Sequence, residues 1–187
     1  MKNINFNIDE DIETQFDNIA KKLFNETRIV VNNQEYLFTE IEFYVYNAEK
    51  HNDPFVHKDD LQLNSNTWYF HGSGVDITIG NKDTHGGILI RGIKKYNSSE
   101  YFDGPLNLLK EIFSNINLLE LNQKIGLVIS PYIKNDIIKS KRIGIDQSKD
   151  QNGSAFFNKK YRYLIDIGEH RHKYKDKEKV IKDHISL

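Results

Sequence analysis

The chain has 187 residues and a formal net charge of −1, with 38% hydrophobic and 28% charged residues. We therefore expect one globular domain, residues 1–187, with a core large enough to fold alone and no global basic signal for nucleic acid. The absence of cysteine excludes disulfides, thiol catalysis and cysteine-ligated metals. No stretch approaches the roughly 18–20 apolar residues of a membrane helix, and no signal peptide is visible. A cytoplasmic monomer that needs no membrane is the expectation.

The first predicted elements are a helix and a short strand. Phe16, Ile19 and Leu23 recur at helical spacing within residues 9–24, so this segment predicts a packing helix with acidic residues in its first turn. Residues 28–37 predict a strand and an asparagine turn that leads into a second strand.

The second strand, residues 38–46, has the most unusual pattern in the chain. Because strand side chains alternate, one face receives the apolar residues Ile41, Phe43 and Val45. The other face receives two carboxylates and two tyrosines, which are Glu40, Glu42, Tyr44 and Tyr46. A solvated face more often carries lysine, threonine or serine. We therefore expect this face to form the floor of a pocket, with Glu42 at its chemical centre.

Residues 47–67 predict a polar, irregular loop, and long loops of this kind are often functional. His51 and His57 lie in this loop, either as pocket residues or as solvated side chains. Residues 68–80 predict a hairpin with a tight glycine turn. Alternation in its second strand puts Asp76 on the face opposite the core residues.

An arginine ends the apolar strand that is predicted over residues 86–93. The charge of Arg91 is costly to bury alone, so it needs an anionic partner. Glu42 on a neighbouring strand is the obvious candidate. His85, just before the two glycines of this strand, is expected in a turn.

The rest of the chain predicts a second helix, two further strands and a charged tail. Gly104-Pro105 opens the helix, and the strands cover residues 125–129 and 160–167. Residues 134–142 hold four basic residues and one acid. Together with basic residues near Tyr161, this segment is a candidate contact for a phosphate backbone.

Three motifs have competing interpretations. Glu40 and Glu42 are either an exposed, salt-bridged face or a pair in which one carboxylate activates water. The Gly72-Ser73-Gly74 sequence fits a hairpin turn better than a phosphate loop, because no P-loop signature follows. In the charged tail, residues 169–187, His170 and His172 could form a metal-binding pair. A charged surface segment is the favoured interpretation.

The ordered set of motifs resembles the alkyladenine (3-methyladenine) DNA glycosylase family. That family has a Glu-x-Glu-Ala-Tyr strand, a later histidine, an aromatic hairpin, an apolar strand ending in arginine, a Gly-Pro helix start and a late Arg-(Val/Ile)-Gly-Ile. The counterparts here are Glu40–Tyr44, His57 or His51, residues 68–79, Ile88–Gly92, Gly104–Leu106, Arg142–Ile145 and Tyr161–Tyr163. The resemblance covers roughly residues 28–167.

The resemblance implies an α+β fold with a curved antiparallel β-sheet and flanking helices. It also implies base-excision repair of double-stranded DNA, in which a damaged, alkylated purine is flipped into a pocket and its N-glycosidic bond is hydrolysed. Glu42 would activate the water and Arg91 would help to hold it. Substrate-binding residues would be Tyr44 and His57, which stack on the base, with Phe70 and His71 as further walls. The resemblance implies no metal and no cofactor.

Two departures from the family pattern keep a second hypothesis open. The hairpin turn, residues 71–74, lacks the aromatic wedge that the family inserts into DNA, and the chain is nearly neutral. The alternative is a catalytically inactive or divergent binding module. It would use the same pocket for a small nucleoside-like ligand or a protein partner.

Overall fold

The computed structural model describes residues 4–117, 119–150 and 155–165. The predicted charged tail, residues 169–187, and its two histidines lie outside the described residues. In the described part of the chain, no helix is both long and apolar enough to span a bilayer.

The described elements are two α-helices, ten strands and three short 3₁₀ turns. The helices are α1 (Ile12–Glu26) and α2 (Pro105–Ser114). The strands are β1 (Thr27–Val31), β2 (Gln34–Asn47), β3 (His51–Asn52), β4 (Ser65–His71), β5 (Gly74–Ile79), β6 (His85–Lys95), β7 (Tyr101–Asp103), β8 (Ile125–Ile129), β9 (Ile137–Ser140) and β10 (Arg162–Ile165). The 3₁₀ turns are Asp60–Leu63, Gln147–Lys149 and Ala155–Asn158.

The strands form one curled antiparallel sheet in the order β4-β5-β6-β2-β1-β8. Strand β2 is central, because β6 runs along one side while β1 and β10 share the other. The register between β2 and β6 shifts around Glu40, where a bulge bends the long strand. The expected α+β fold with a curved antiparallel sheet and flanking helices is confirmed at this level.

The core lies between this sheet and α1. The predicted strip of Ile41, Phe43 and Val45 is fully buried, and the ring of Phe16 from α1 stacks on Phe43 with 4.2 Å between centroids. The carboxylate of Asp11 accepts the Thr14 N–H at 2.6 Å and caps α1. The helix therefore begins after the acidic cluster, whereas the sequence pattern predicted that these residues form its first turn.

Two local predictions differ from the structure. The loop at residues 47–67 contains β3 and a 3₁₀ turn and is less irregular than expected. His85 begins β6 instead of lying in a turn, because β2 extends far enough for Tyr46 to pair with it.

Candidate functional site

A cavity of about 390 Å³ lies over the face of β2 that carries the glutamates. Its wall includes the ring side chains of Tyr44, Phe55, His57 and His71. The charged residues of the wall are Arg91, Lys149, Asp76 and Asp146, so positive and negative charges balance. The cavity suits a flat, uncharged or weakly charged ring more than a polyanion.

The sheet register aligns the polar groups of this face in one transverse row. Leu89 of β6 pairs with Glu42 on one side and with Asp76 on the other. Tyr69 extends the row beyond Asp76, and Arg162 extends it beyond Glu42. Directly paired residues of adjacent strands point to the same face. The side chains of Glu42 and Asp76 therefore lie on the same face as Leu89, one on each side of it.

Glu42 is fully buried immediately behind the cavity wall. Its Oε2 accepts a hydrogen bond from the Tyr44 hydroxyl at 2.8 Å and contacts Nη1 of Arg91 at 3.4 Å. Its Oε1 accepts the backbone N–H of Ile143 at 2.9 Å. All three partners line the cavity, although Glu42 itself is not part of the described lining. The carboxylate is therefore one side chain away from a bound ligand.

Two arginines neutralise the two buried glutamates of β2. Nε of Arg91 lies 2.8 Å from Oε1 of Glu40, and Nε of Arg162 lies 2.7 Å from the same oxygen. The expected ion pair between Arg91 and Glu42 is present, but the shorter contact of Arg91 is to Glu40. The charges are buried, so breaking the network would leave a charge without a partner.

Burial raises the pKa of the Glu42 carboxyl above its usual value. Arg91 acts against this rise, whereas the nearby charge of Glu40 adds to it. Hydrogen bonds from Ile143 and Tyr44 favour the ionised form. A raised pKa makes an ionised carboxylate a stronger base, which suits a group that removes a proton from water near neutral pH.

Tyr44 joins Glu42 to the cavity. Burial, followed by the charge of Glu42, holds the pKa of its phenol well above the usual range, so the hydroxyl stays a donor. The guanidinium of Arg142 lies 4.6 Å from the Tyr44 ring centroid. Arg142 is fixed in turn by Asp53 through contacts of 2.6 and 3.1 Å. The sequence showed Asp53 and Arg142 separately, but nothing in their spacing indicated that they pair.

The structure distinguishes the two candidate histidines. His57 lines the cavity and meets the ring of His71 edge-on at 4.7 Å. His51 is buried elsewhere, with Nδ1 at 2.8 Å from the Val45 carbonyl and Nε2 at 3.0 Å from the Tyr161 hydroxyl. His57 is thus the histidine that the fold brings to the cavity.

Strand alternation places the two candidate hairpin residues, Phe70 and His71, on opposite faces of β4. His71 lines the cavity and its ring stacks on Tyr69. Phe70 lies on the opposite face of β4 and packs against Phe113 of α2, with 5.5 Å between ring centroids. The structure therefore does not bring Phe70 to the cavity, because adjacent residues of a strand point to opposite faces.

The sequence did not indicate the roles of Asp76 and Gln62. Both are buried beside the cavity, and Nε2 of Gln62 lies 3.4 Å from Oδ2 of Asp76. Alternation in residues 74–79 indicated the face of Asp76, but only the folded hairpin shows what that face meets.

The basic segment at residues 134–142 is less available than its composition indicated. Lys139 is buried and its Nζ lies 2.7 Å from Oδ1 of Asp17. Arg142 is buried against Asp53. Two of the four cations of this segment therefore neutralise carboxylates inside the protein.

No known family profile matches the chain. The chain is similar to a protein of Acanthamoeba polyphaga mimivirus that is described as uncharacterized, with 32% identity over 138 residues. The matched segment comprises 61% of this chain and 63% of the mimivirus protein, so the chain spans less than two thirds of that relative.

Proposed function

We propose that the chain is a divergent relative of the alkyladenine DNA glycosylases and hydrolyses the N-glycosidic bond of a damaged purine. The supporting observation is the contact set of Glu42, whose three partners, Tyr44, Arg91 and Ile143, all line an aromatic cavity. Such a site combines a basic carboxylate with walls on which a flat ring can stack.

Glu42 has the acceptor capacity that water activation requires. A carboxylate offers about four lone-pair positions. Oε2 uses two of them for Tyr44 and Arg91, whereas Oε1 accepts only the Ile143 N–H among the described residues. The second lone pair of Oε1 is the position at which a water would bind.

In the proposed reaction, one C–O bond forms and the C–N glycosidic bond breaks. The water oxygen attacks the anomeric carbon while its proton moves to Oε1 of Glu42, and the base leaves with the electrons of the glycosidic bond. An alkylated, cationic purine leaves as a neutral base and needs no proton from the protein. Glu42 then returns its proton to solvent. Arg91 orients the carboxylate through Oε2 throughout.

The cavity wall would offset part of the cost of extruding the base. Flipping a base out of a duplex costs a few kcal/mol, and stacking on an aromatic side chain returns about 1–3 kcal/mol. Tyr44 and His57 are the ring side chains proposed for this contact.

The test is release of free base from duplex DNA treated with a methylating agent. The purified chain should release alkylated purine that mass spectrometry detects, and should leave abasic sites in the duplex. Failure to release any base from methylated or deaminated duplexes would contradict the proposal.

A binding module without catalysis is the second candidate function. Two observations favour it. Glu42 is completely buried behind Tyr44, and Lys139 and Arg142 each form an ion pair with a carboxylate inside the protein. Such a module would bind a nucleoside-like ligand or a protein partner at the same cavity. Ligand binding without base release would support it.

A further inference from the structure

The cavity wall carries a buried carboxylate that the proposed hydrolysis does not use. Asp76 is 3% exposed and lines the cavity, one strand beyond Leu89 from Glu42. Strands lie about 4.8 Å apart, so two spacings separate the two carboxylate-bearing strands by about 10 Å. A purine whose glycosidic bond lies near Glu42 would present its far edge toward Asp76.

The structure holds the Asp76 carboxylate in one orientation. Oδ1 lies 3.1 Å from Nε2 of His71, and Oδ2 lies 3.4 Å from Nε2 of Gln62. Oδ2 also occupies space that a side chain at Gly87 would need, since a Cβ there would lie 2.4 Å from it. The glycine thus makes room for the carboxylate.

The hydrogen bonds of His71 leave the Asp76 carboxylate able to accept further hydrogen bonds from a ligand in the cavity. Nδ1 of His71 accepts the backbone N–H of Ser73 at 3.2 Å, so the ring proton resides on Nε2 and is donated to Asp76. Among the described residues, His71 and Gln62 use two of the roughly four acceptor positions of the Asp76 carboxylate, which leaves acceptor capacity for a ligand.

We propose that Asp76 selects a guanine-type base by accepting hydrogen bonds from the donor edge of the purine. This inference rests on the proposed function of the cavity as a base pocket. Guanine presents a ring N–H and an exocyclic amino group side by side, and a carboxylate can accept from both. Adenine presents one amino donor next to a ring nitrogen acceptor. That ring nitrogen would face a carboxylate oxygen, and no proton would lie between the two acceptors.

The test compares two free bases that differ only in the exocyclic amino group, 7-methylguanine and 7-methylhypoxanthine. Calorimetric titration of the full chain should show at least about tenfold tighter binding of 7-methylguanine, as expected for a paired hydrogen-bond contact. Asp76→Asn should reduce this preference to about twofold or less, because an amide supplies a donor where the base needs an acceptor. Asp83→Asn, which changes an exposed carboxylate in the turn before β6, should keep the full preference.

The outcomes separate this inference from the proposed activity. Glu42→Gln should bind 7-methylguanine with an unchanged preference even if it releases no base. Base release from methylated duplex together with equal affinity for the two bases would overturn the role of Asp76 alone. Preferential binding without base release would retain that role and overturn the hydrolysis. Binding of neither base at millimolar concentration would overturn the inference, as would a preference that survives in folded Asp76→Asn.

Discussion

Glu42 and Asp76 lie in one transverse row of the sheet, and Leu89 of the strand between them pairs with both. The register therefore places the two carboxylates on the same face of the sheet, on strands that lie about 10 Å apart. One contacts Tyr44 and Arg91, and the other contacts His71 and Gln62. The two ends of the cavity have separate hydrogen-bond networks, so substitutions at each end should have separable effects.

Removing the hydroxyl of Tyr44 should weaken the protein by about 1 kcal/mol, the typical net worth of one hydrogen bond. Tyr44→Phe keeps the ring but removes the donor to Glu42, so the pKa of Glu42 should rise further. Urea denaturation measures the loss. Tyr46→Phe, on the same face of β2, is the matched control and should change stability by less than about 0.5 kcal/mol. Equal effects of the two substitutions would contradict the assigned contact.

Stability should depend on pH through Glu42. Its pKa is raised in the folded protein, so folding opposes its ionisation. Relative to Glu42→Gln, the wild type should therefore be most stable below about pH 4.3, where an ordinary glutamate titrates, and should lose stability as pH rises toward the folded pKa. Urea denaturation of both variants between about pH 4 and 8 measures the difference. A difference that increases with pH would contradict the raised pKa of Glu42 in the folded protein.

Neutralising Asp53 should be strongly destabilising. Its carboxylate and the Arg142 side chain are completely buried against each other, and an unpaired buried charge typically costs about 3–5 kcal/mol. We expect Asp53→Asn to lower the free energy of unfolding by about this amount, measured by chemical denaturation. The exposed substitution Asp83→Asn should stay within about 0.5 kcal/mol of wild type. A loss below about 1 kcal/mol for Asp53→Asn would contradict a dry ion pair.

A methyl group at Gly87 should displace the Asp76 carboxylate, because a Cβ would lie 2.4 Å from Oδ2. We expect Gly87→Ala to cost about 1–3 kcal/mol of stability, as overpacking does, and to abolish the preference for 7-methylguanine. Gly126→Ala is the matched strand control, since no atom of the described residues lies within 4 Å of a Cβ there. If Gly87→Ala kept its preference for 7-methylguanine, the position of the Asp76 carboxylate would not depend on the space beside Gly87.

Much of the fold could be predicted from alternation and spacing. The core strip of β2, its polar face and the contact between Arg91 and Glu42 all follow from period-two patterns and from the cost of burying a charge alone. Alternation assigns a residue to a face but does not say which segment covers that face. The backbone N–H that binds Oε1 of Glu42 comes from Ile143, which is 101 positions away in the sequence.

The same limit explains the site residues that were misplaced or missed. Phe70 and His71 are neighbours in sequence, yet alternation separates them, and only His71 reaches the cavity. His51 and His57 have similar polar surroundings in the sequence, and only the pairing of β3 with β2 buries His51 away from the cavity. Lys139 looked like a surface cation because its partner, Asp17, lies on α1.

The most direct test of the account is the single-turnover rate of base release from a duplex that contains one 7-methylguanine, measured for wild type, Glu42→Gln and Glu49→Gln. General-base catalysis typically contributes about 10²–10⁴-fold. We predict a loss of this size for Glu42→Gln with the fold retained, and a rate within about twofold of wild type for Glu49→Gln, whose site is exposed. Base release by folded Glu42→Gln at the wild-type rate would contradict the central role of Glu42.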